Sequence, residues 1–165
     1  MNWLSFLFNS RETSKSEEKI KLTVRQGEAV QVDNVFEAWT SGDLSEMLKS
    51  VQKKTNPIDR HFLLQNIVNE TYKLRKEDNH RDTCIKYSEI HLVEFPAIAP
   101  ALKKDLGGYL PRVTTFQNYA TVLTENGNYE KAIEVCKHAI SFGLHDGTKS
   151  GYQGRIERIK KKQET

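Results

Sequence analysis

The chain has 165 residues, a little over a quarter of them charged, and a net charge of +3. That length fits one domain with a sizeable core. So small an excess of positive charge gives no dense basic face of the kind that marks a nucleic-acid binder, and no apolar run approaches the length needed to span a bilayer.

Taken in order, the chain opens with Met1-Asn2-Trp3-Leu4-Ser5-Phe6-Leu7-Phe8, an apolar stretch without a basic flank or a small-residue cleavage site. It does not read as a signal peptide. It suits an arm that docks on the domain or lies loosely, or a weak membrane or partner anchor that would bind a bilayer poorly alone. The polar, charged residues that follow read as a linker, so residues 1–18 form an arm and linker. Ile20, Leu22 and Val24 then alternate, Gln26-Gly27 breaks the run, and Val30 and Val32 alternate again. This pattern predicts a β-hairpin over 19–33, leaning on helices because two strands alone are marginal.

Asp33 is placed to cap a short helix carrying Val35, Phe36 and Trp39. Ser41-Gly42-Asp43 ends it and caps the next, which carries Leu44, Met47, Leu48 and Val51. Pro57 stands in the first turn of a third helix with Ile58, Phe62, Leu63, Ile67, Val68 and Tyr72 on its apolar face. After a turn at Asp78–Arg81, Cys84, Ile85, Tyr87, Ser88, His91 and Leu92 mark a fourth helix. Pro96, Pro100 and Pro111 predict a break in the segment 95–112, with a short extra helix over Ile98–Leu106 stopped by Gly107-Gly108. Pro111 is expected to open the next helix. Cys84 and Cys136 fall in the apolar phase of their helices and read as small buried hydrophobes. Their spacing supports neither a disulfide nor a metal site, and a reducing cytoplasm is the default location.

The most regular stretch is Phe116–Leu144. Phe116, Tyr119, Ala120 and Leu123 lie on one helical face; Asn126-Gly127-Asn128 turns the chain; Tyr129, Ala132, Ile133, Cys136, Ala139 and Ile140 resume the same rhythm. Gly127 and Gly143 stand where the two helices must end. The spacing of Phe116, Tyr119, Ala120, Gly127, Tyr129, Ala132 and Ala139 resembles a tetratricopeptide repeat, although Leu144 replaces the Pro that often closes one. Gly42, Asn79 and Gly127 occupy equivalent turns, as do Met47, Cys84 and Ala132. The second step is longer than the family's period by about a dozen residues, all of them in the 95–112 insertion. The resemblance implies an all-α domain over 19–165 built of stacked antiparallel helical pairs. A closing helix over 147–162 would cover its end, with Tyr152, Ile156 and Ile159 as its apolar stripe. Gly147, Gly151 and Gly154 share one helical face there and are expected to allow close approach to a neighbour.

No motif for chemistry stands out. His80-Arg81-Asp82 lacks the Asn and the Gly-rich loop of a kinase. The histidines show no paired metal spacing, and no Gly-x-Ser-x-Gly turn is present. No cofactor is expected, and the chain reads as a non-enzyme. The resemblance places ligands in the groove lined by the first helix of each pair. That carries over to Asn66, Asn69, Lys73 and Lys76 from the Pro57 helix, Thr114, Gln117, Asn118, Thr121 and Thr124 from the Phe116 helix, and Arg155 from the closing helix. Some members of that family hold a peptide's terminal carboxylate there. Asn118 matches one such Asn, whereas Asn69 and Lys73 stand in exchanged order beside Glu70. Lys73 and Asn118 are expected to be exposed and to face a ligand together. The function so implied is non-catalytic binding of a protein or peptide, Asn and Gln meeting its backbone and Lys and Arg its acidic groups. The alternatives are a peripheral membrane adaptor using the Met1–Phe8 arm, and a small-molecule or enzymatic site near the Pro-rich insertion.

Overall fold

The computed structural model describes residues 20–165; the arm and linker expected over 1–18 lie outside them. The described chain runs β1 (Leu22–Arg25), β2 (Glu28–Gln31), α1 (Asn34–Ser41), α2 (Leu44–Ser50), α3 (Pro57–Lys73), α4 (Asp78–Asp105), α5 (Thr114–Glu125), α6 (Tyr129–Ser141) and α7 (Gly151–Gln163). It is mostly helical, with one small antiparallel hairpin.

The hairpin pairs Leu22 with Gln31 and Val24 with Ala29. Its two turn residues, Gln26 and Gly27, have φ of 54° and 84°, the left-handed pair that suits the strand twist. The hairpin's inner side carries Thr23, Arg25 and Val30, all half-buried. The Arg25 guanidinium donates to the Asp59 carboxylate at 2.7 Å and lies 5.3 Å from the Phe36 ring centre. Asp59 is buried and also accepts from the Trp39 indole at 3.0 Å. One carboxylate thus ties the hairpin and α1 to the first turn of α3.

Caps explain the early helix boundaries. Asp33 accepts from the N–H groups of Val35 and Phe36, Asp43 from those of Ser45 and Glu46, and Asn56 from those of Ile58 and Asp59. Each satisfies donors that the first helical turn leaves without partners.

The largest departure from expectation is α4. Pro96 and Pro100 do not break it; the helix continues through both to Asp105. The two prolines lie on its exposed side, where water can take the carbonyls they leave unbonded. Phe95, Ile98, Ala99 and Leu102 on the opposite side are buried in the main core. Burial of four side chains outweighs the loss of two backbone bonds. The dozen extra residues are therefore a prolongation of α4 and the loop behind it. Pro111 does not open α5, which begins at Thr114.

Consecutive helices from α3 to α7 pack as neighbours, and α3 also lies against α5. Two apolar clusters result. One joins Ile58, the far half of α4, Val113, α5, α6 and α7. The other joins α1, α2, the middle of α3, Cys84 and Tyr87 of α4, and Val122. Ile85 packs against both.

The closing segment also differs from expectation. Helix α7 starts at Gly151, so Gly147 belongs to the preceding loop. A Cβ on Gly151 would come no nearer than 3.5 Å to the His145 ring, an ordinary contact. Its glycine is required by a φ of 57° rather than by close approach of a neighbouring helix. On Gly154 a Cβ would collide with both the hydroxyl and the Cβ of Ser150, so that glycine is required by close approach of the preceding turn of its own chain.

Candidate functional site

Helices α3, α5 and α7 bring the expected groove residues onto one side of the protein. Most of their amides and hydroxyls, however, are already engaged within the chain. Asn69 is a hub: its Oδ1 accepts from the Thr114 hydroxyl at 2.8 Å and from the Asn118 amide at 3.0 Å. Asn118 is 7% exposed, so the expectation that it lies open beside Lys73 is not met. Its position on α5 turns it towards α3, where Asn69 supplies the partner that burial demands. Gln65 accepts from the backbone N–H of Thr114 at 2.9 Å. It thus serves α5 as a cap borrowed from α3, since Val113 has no capping side chain.

The remaining expected residues are distributed as follows. The Asn66 amide donates to the Trp39 carbonyl at 3.3 Å. Gln117 accepts twice from the Arg112 guanidinium. Thr121 and Thr124 donate to backbone carbonyls one turn earlier. Arg155 donates to the Thr121 hydroxyl at 3.0 Å and to Asp146 at 3.0 Å. Asp146 is almost wholly buried. Burial raises its pKa, but bonds from the Thr148 hydroxyl and N–H and from Arg155 outweigh this and leave it below the usual range. Lys73 pairs with Glu70 at 2.6 Å, and Lys76 reaches Glu125 at 3.5 Å beside the Arg75 fork on the same carboxylate.

Between α5 and α7 a cleft of about 160 Å³ remains, lined by Thr121, Thr124, Glu125, Arg155, Arg158, Ile159 and Lys162. Arg158 and Lys162 are exposed, and among the described residues the Arg158 guanidinium bonds only a neutral hydroxyl, that of Ser150 at 3.0 Å. Neither residue is singled out by the sequence pattern. Both sit one turn or two beyond Arg155 on the same face of α7, which is the signal that could have found them.

A second, broader recess lies across α4, α5 and α6, lined by Glu89, Leu92, Val93, Tyr119, Lys131, Glu134, Val135 and His138. Glu89 accepts from Lys131 at 2.5 Å and from the Tyr119 hydroxyl at 2.8 Å. These two bonds hold the Glu89 carboxyl below its ordinary range, while burial, helped by that carboxylate, pushes Tyr119 up to about 12. At neutral pH the three groups stay in one charge state and brace α4 against α5 and α6.

The deeper polar feature is a buried relay. His61 Nδ1 lies 3.0 Å from His91 Nε2, and His91 Nδ1 lies 2.7 Å from the Thr115 hydroxyl. All three are 0% exposed, and His61 Nε2 has no partner among the described residues. An unpaired acceptor costs less than an unpaired donor. The relay is therefore oriented with His61 Nδ1–H donating to His91 and His91 Nδ1–H donating to Thr115. Burial lowers His61 to about 4 and His91 well below its ordinary value. Both rings are neutral, and they lock α3, α4 and α5 together.

Cys84 and Cys136 are buried free thiols, with burial raising both pKa values. Among the described residues no group of three or more His, Cys, Asp or Glu is placed to hold a metal ion. No described helix is long and apolar enough to cross a membrane. Fold and site together define a mostly helical domain with a cationic cleft beside an internally bonded polar seam. No family model, curated protein or solved structure matches the chain.

Proposed function

We propose that the chain is a tetratricopeptide-like helical domain that binds an acidic segment of another protein, without catalysis. The order of neighbours favours this architecture, with successive helices packed on one another and α3 beside α5, as does the continuous α4, which accounts for the long step between equivalent turns. The observation that carries the binding reading is the α5–α7 cleft. Its amide-bearing neighbours are occupied within the chain, while Arg158 and Lys162 present charge at its mouth. Lys73 at the end of α3 and Lys76 in the turn after it extend that charge, each paired with one surface carboxylate, and surface pairs of this kind exchange readily for a ligand's carboxylates. Asn66, Asn69, Gln117 and Asn118 then act by holding the wall in place, and Arg155 and Thr121 by fixing α7 to α5.

The test is titration with a library of acidic and basic peptides, on wild type and on Arg158→Glu/Lys162→Glu. Acidic peptides should bind, the charge-reversed variant should lose at least about tenfold in affinity, and added salt should weaken wild type more than the variant. Lys53→Glu/Lys54→Glu, placed beyond α2, should bind as wild type does. Equal binding by all three proteins would place the ligand elsewhere.

A further inference from the structure

The hairpin turns the aliphatic residues of its first strand away from the core, and Val30 of the second strand is half-buried on the inner side opposite Thr23. That side also carries Arg25, bonded to Asp59, whereas Ile20, Leu22 and Val24 point outward at 69%, 63% and 62% exposure. Across the ladder Ala29 and Gln31 share that outer side and are exposed as well. A half-buried hairpin ordinarily turns its β-branched and aliphatic residues to the core and its polar residues to water. Here the stripe from Ile20 to Val24 is an apolar strip about 14 Å long with no described residue over it.

We propose that this strip is the docking site of the chain's own residues Trp3–Phe8. Trp3, Leu4, Phe6, Leu7 and Phe8 form the one dense cluster of large apolar residues outside the described part of the chain. They are joined to Ile20 by the polar linker 9–19. Twelve residue steps separate Phe8 from Ile20 and reach about 40 Å at most, far more than is needed to fold back over the strip. Closing so short a loop costs little, and the cost grows only slowly with length. Tethering holds the arm at an effective millimolar concentration, above that of any second copy of the chain in dilute solution. The hairpin is anchored to α3 by the Arg25–Asp59 pair, and the Gln26 N–H bonds the Asp105 carboxylate at the end of α4. The strip is therefore a fixed surface for the arm to meet. This inference is independent of the α5–α7 cleft.

The experiment uses the full chain labelled with 5-fluorotryptophan, which gives one ¹⁹F signal each for Trp3 and Trp39; Trp3→Phe assigns them. Leu22→Thr/Val24→Thr removes the apolar strip but keeps strand preference, and circular dichroism checks that the fold is kept. In wild type the Trp3 signal should be shielded from a soluble paramagnetic agent, independently of protein concentration. In the Thr variant it should shift and lose that shielding, while Trp39 is unchanged. A Trp3 signal equally open in both proteins overturns the proposal. So does shielding that vanishes on dilution, which would assign the strip to a second copy, or shielding that appears only with phosphatidylcholine–phosphatidylglycerol vesicles, which would assign the arm to a lipid surface.

Discussion

At the residue scale, the buried relay sets a pH dependence. His61 has an ordinary pKa of 6.5 when unfolded and about 4 when folded. Between those values the unfolded chain binds more protons than the folded one, so stability is full above pH 6.5 and falls as pH drops through this window. His61 alone should account for about 3 kcal/mol of that loss by pH 4. The charged groups facing the pair from neighbouring positions are Arg60, which further disfavours the His91 cation, and Glu94, which is bonded to Arg60 at 2.7 Å. Urea midpoints at pH 7.5, 5.5 and 4.5 should decline in order, and the decline should shrink in His61→Leu/His91→Leu. An undiminished acid slope in that variant would move the effect to the surface carboxylates.

Gly151 gives a second residue-scale prediction. Both Gly151→Ala and Gly151→Leu should destabilise by about 1–2 kcal/mol, because each must hold a left-handed backbone. A penalty imposed by a tightly packed neighbour would instead rise steeply from Ala to Leu. Thermal melts of the two variants side by side separate the causes, and a neutral Ala variant would show that the turn relaxes.

At the scale of elements, α4 and the seam between α3 and α5 carry the argument. Pro96 and Pro100 lie on the exposed side of a continuous helix, so their replacement by Ala restores backbone bonds without touching the core. Each replacement should raise stability, by an amount below the roughly 3 kcal/mol separating Pro from Ala in a regular helix, because Pro also limits the unfolded chain. A fall in melting temperature would mean that the bend they impose is needed to seat Phe95 and Leu102. Asn69→Leu should cost about 1–3 kcal/mol by leaving the Asn118 amide and the Thr114 hydroxyl without their acceptor, whereas Lys73→Ala, on the same helix but exposed, should cost little. Chemical denaturation of the two variants makes that comparison.

At the scale of the whole molecule, α3 and α4 contribute to both apolar clusters, and Ile85 touches both. The domain should therefore unfold as one cooperative unit. In a Trp3→Phe background, Trp39 fluorescence reports the cluster around α1–α3 and far-UV circular dichroism reports all the helices. Their midpoints should coincide. They should also fall together in Leu64→Ala, a fully buried site where truncation costs about 2–5 kcal/mol. Separated midpoints would divide the molecule at Ile85.

What the sequence determined by itself was local. Asp33, Asp43 and Asn56 are short polar side chains that serve the next residues' N–H groups, so caps and helix starts could be read from neighbours in the chain. Gln26-Gly27 fixed the hairpin turn because few residues tolerate positive φ, and the apolar rhythm of Phe116–Ile140 fixed a helical pair with Phe116, Tyr119, Ala132 and Cys136 in the core. Tertiary structure decided whatever depended on partners far along the chain. Two prolines stayed helical because Phe95, Ile98 and Leu102 found a core on the other side. Leu22 and Val24 faced outward because Arg25, on the other face of the strand, found Asp59, thirty-four residues away. Asn118 became buried because Asn69 was there to accept its amide, and two histidines thirty positions apart became one relay. In each case a local preference was outweighed by desolvation or burial worth more, and no periodicity within one element carries that information.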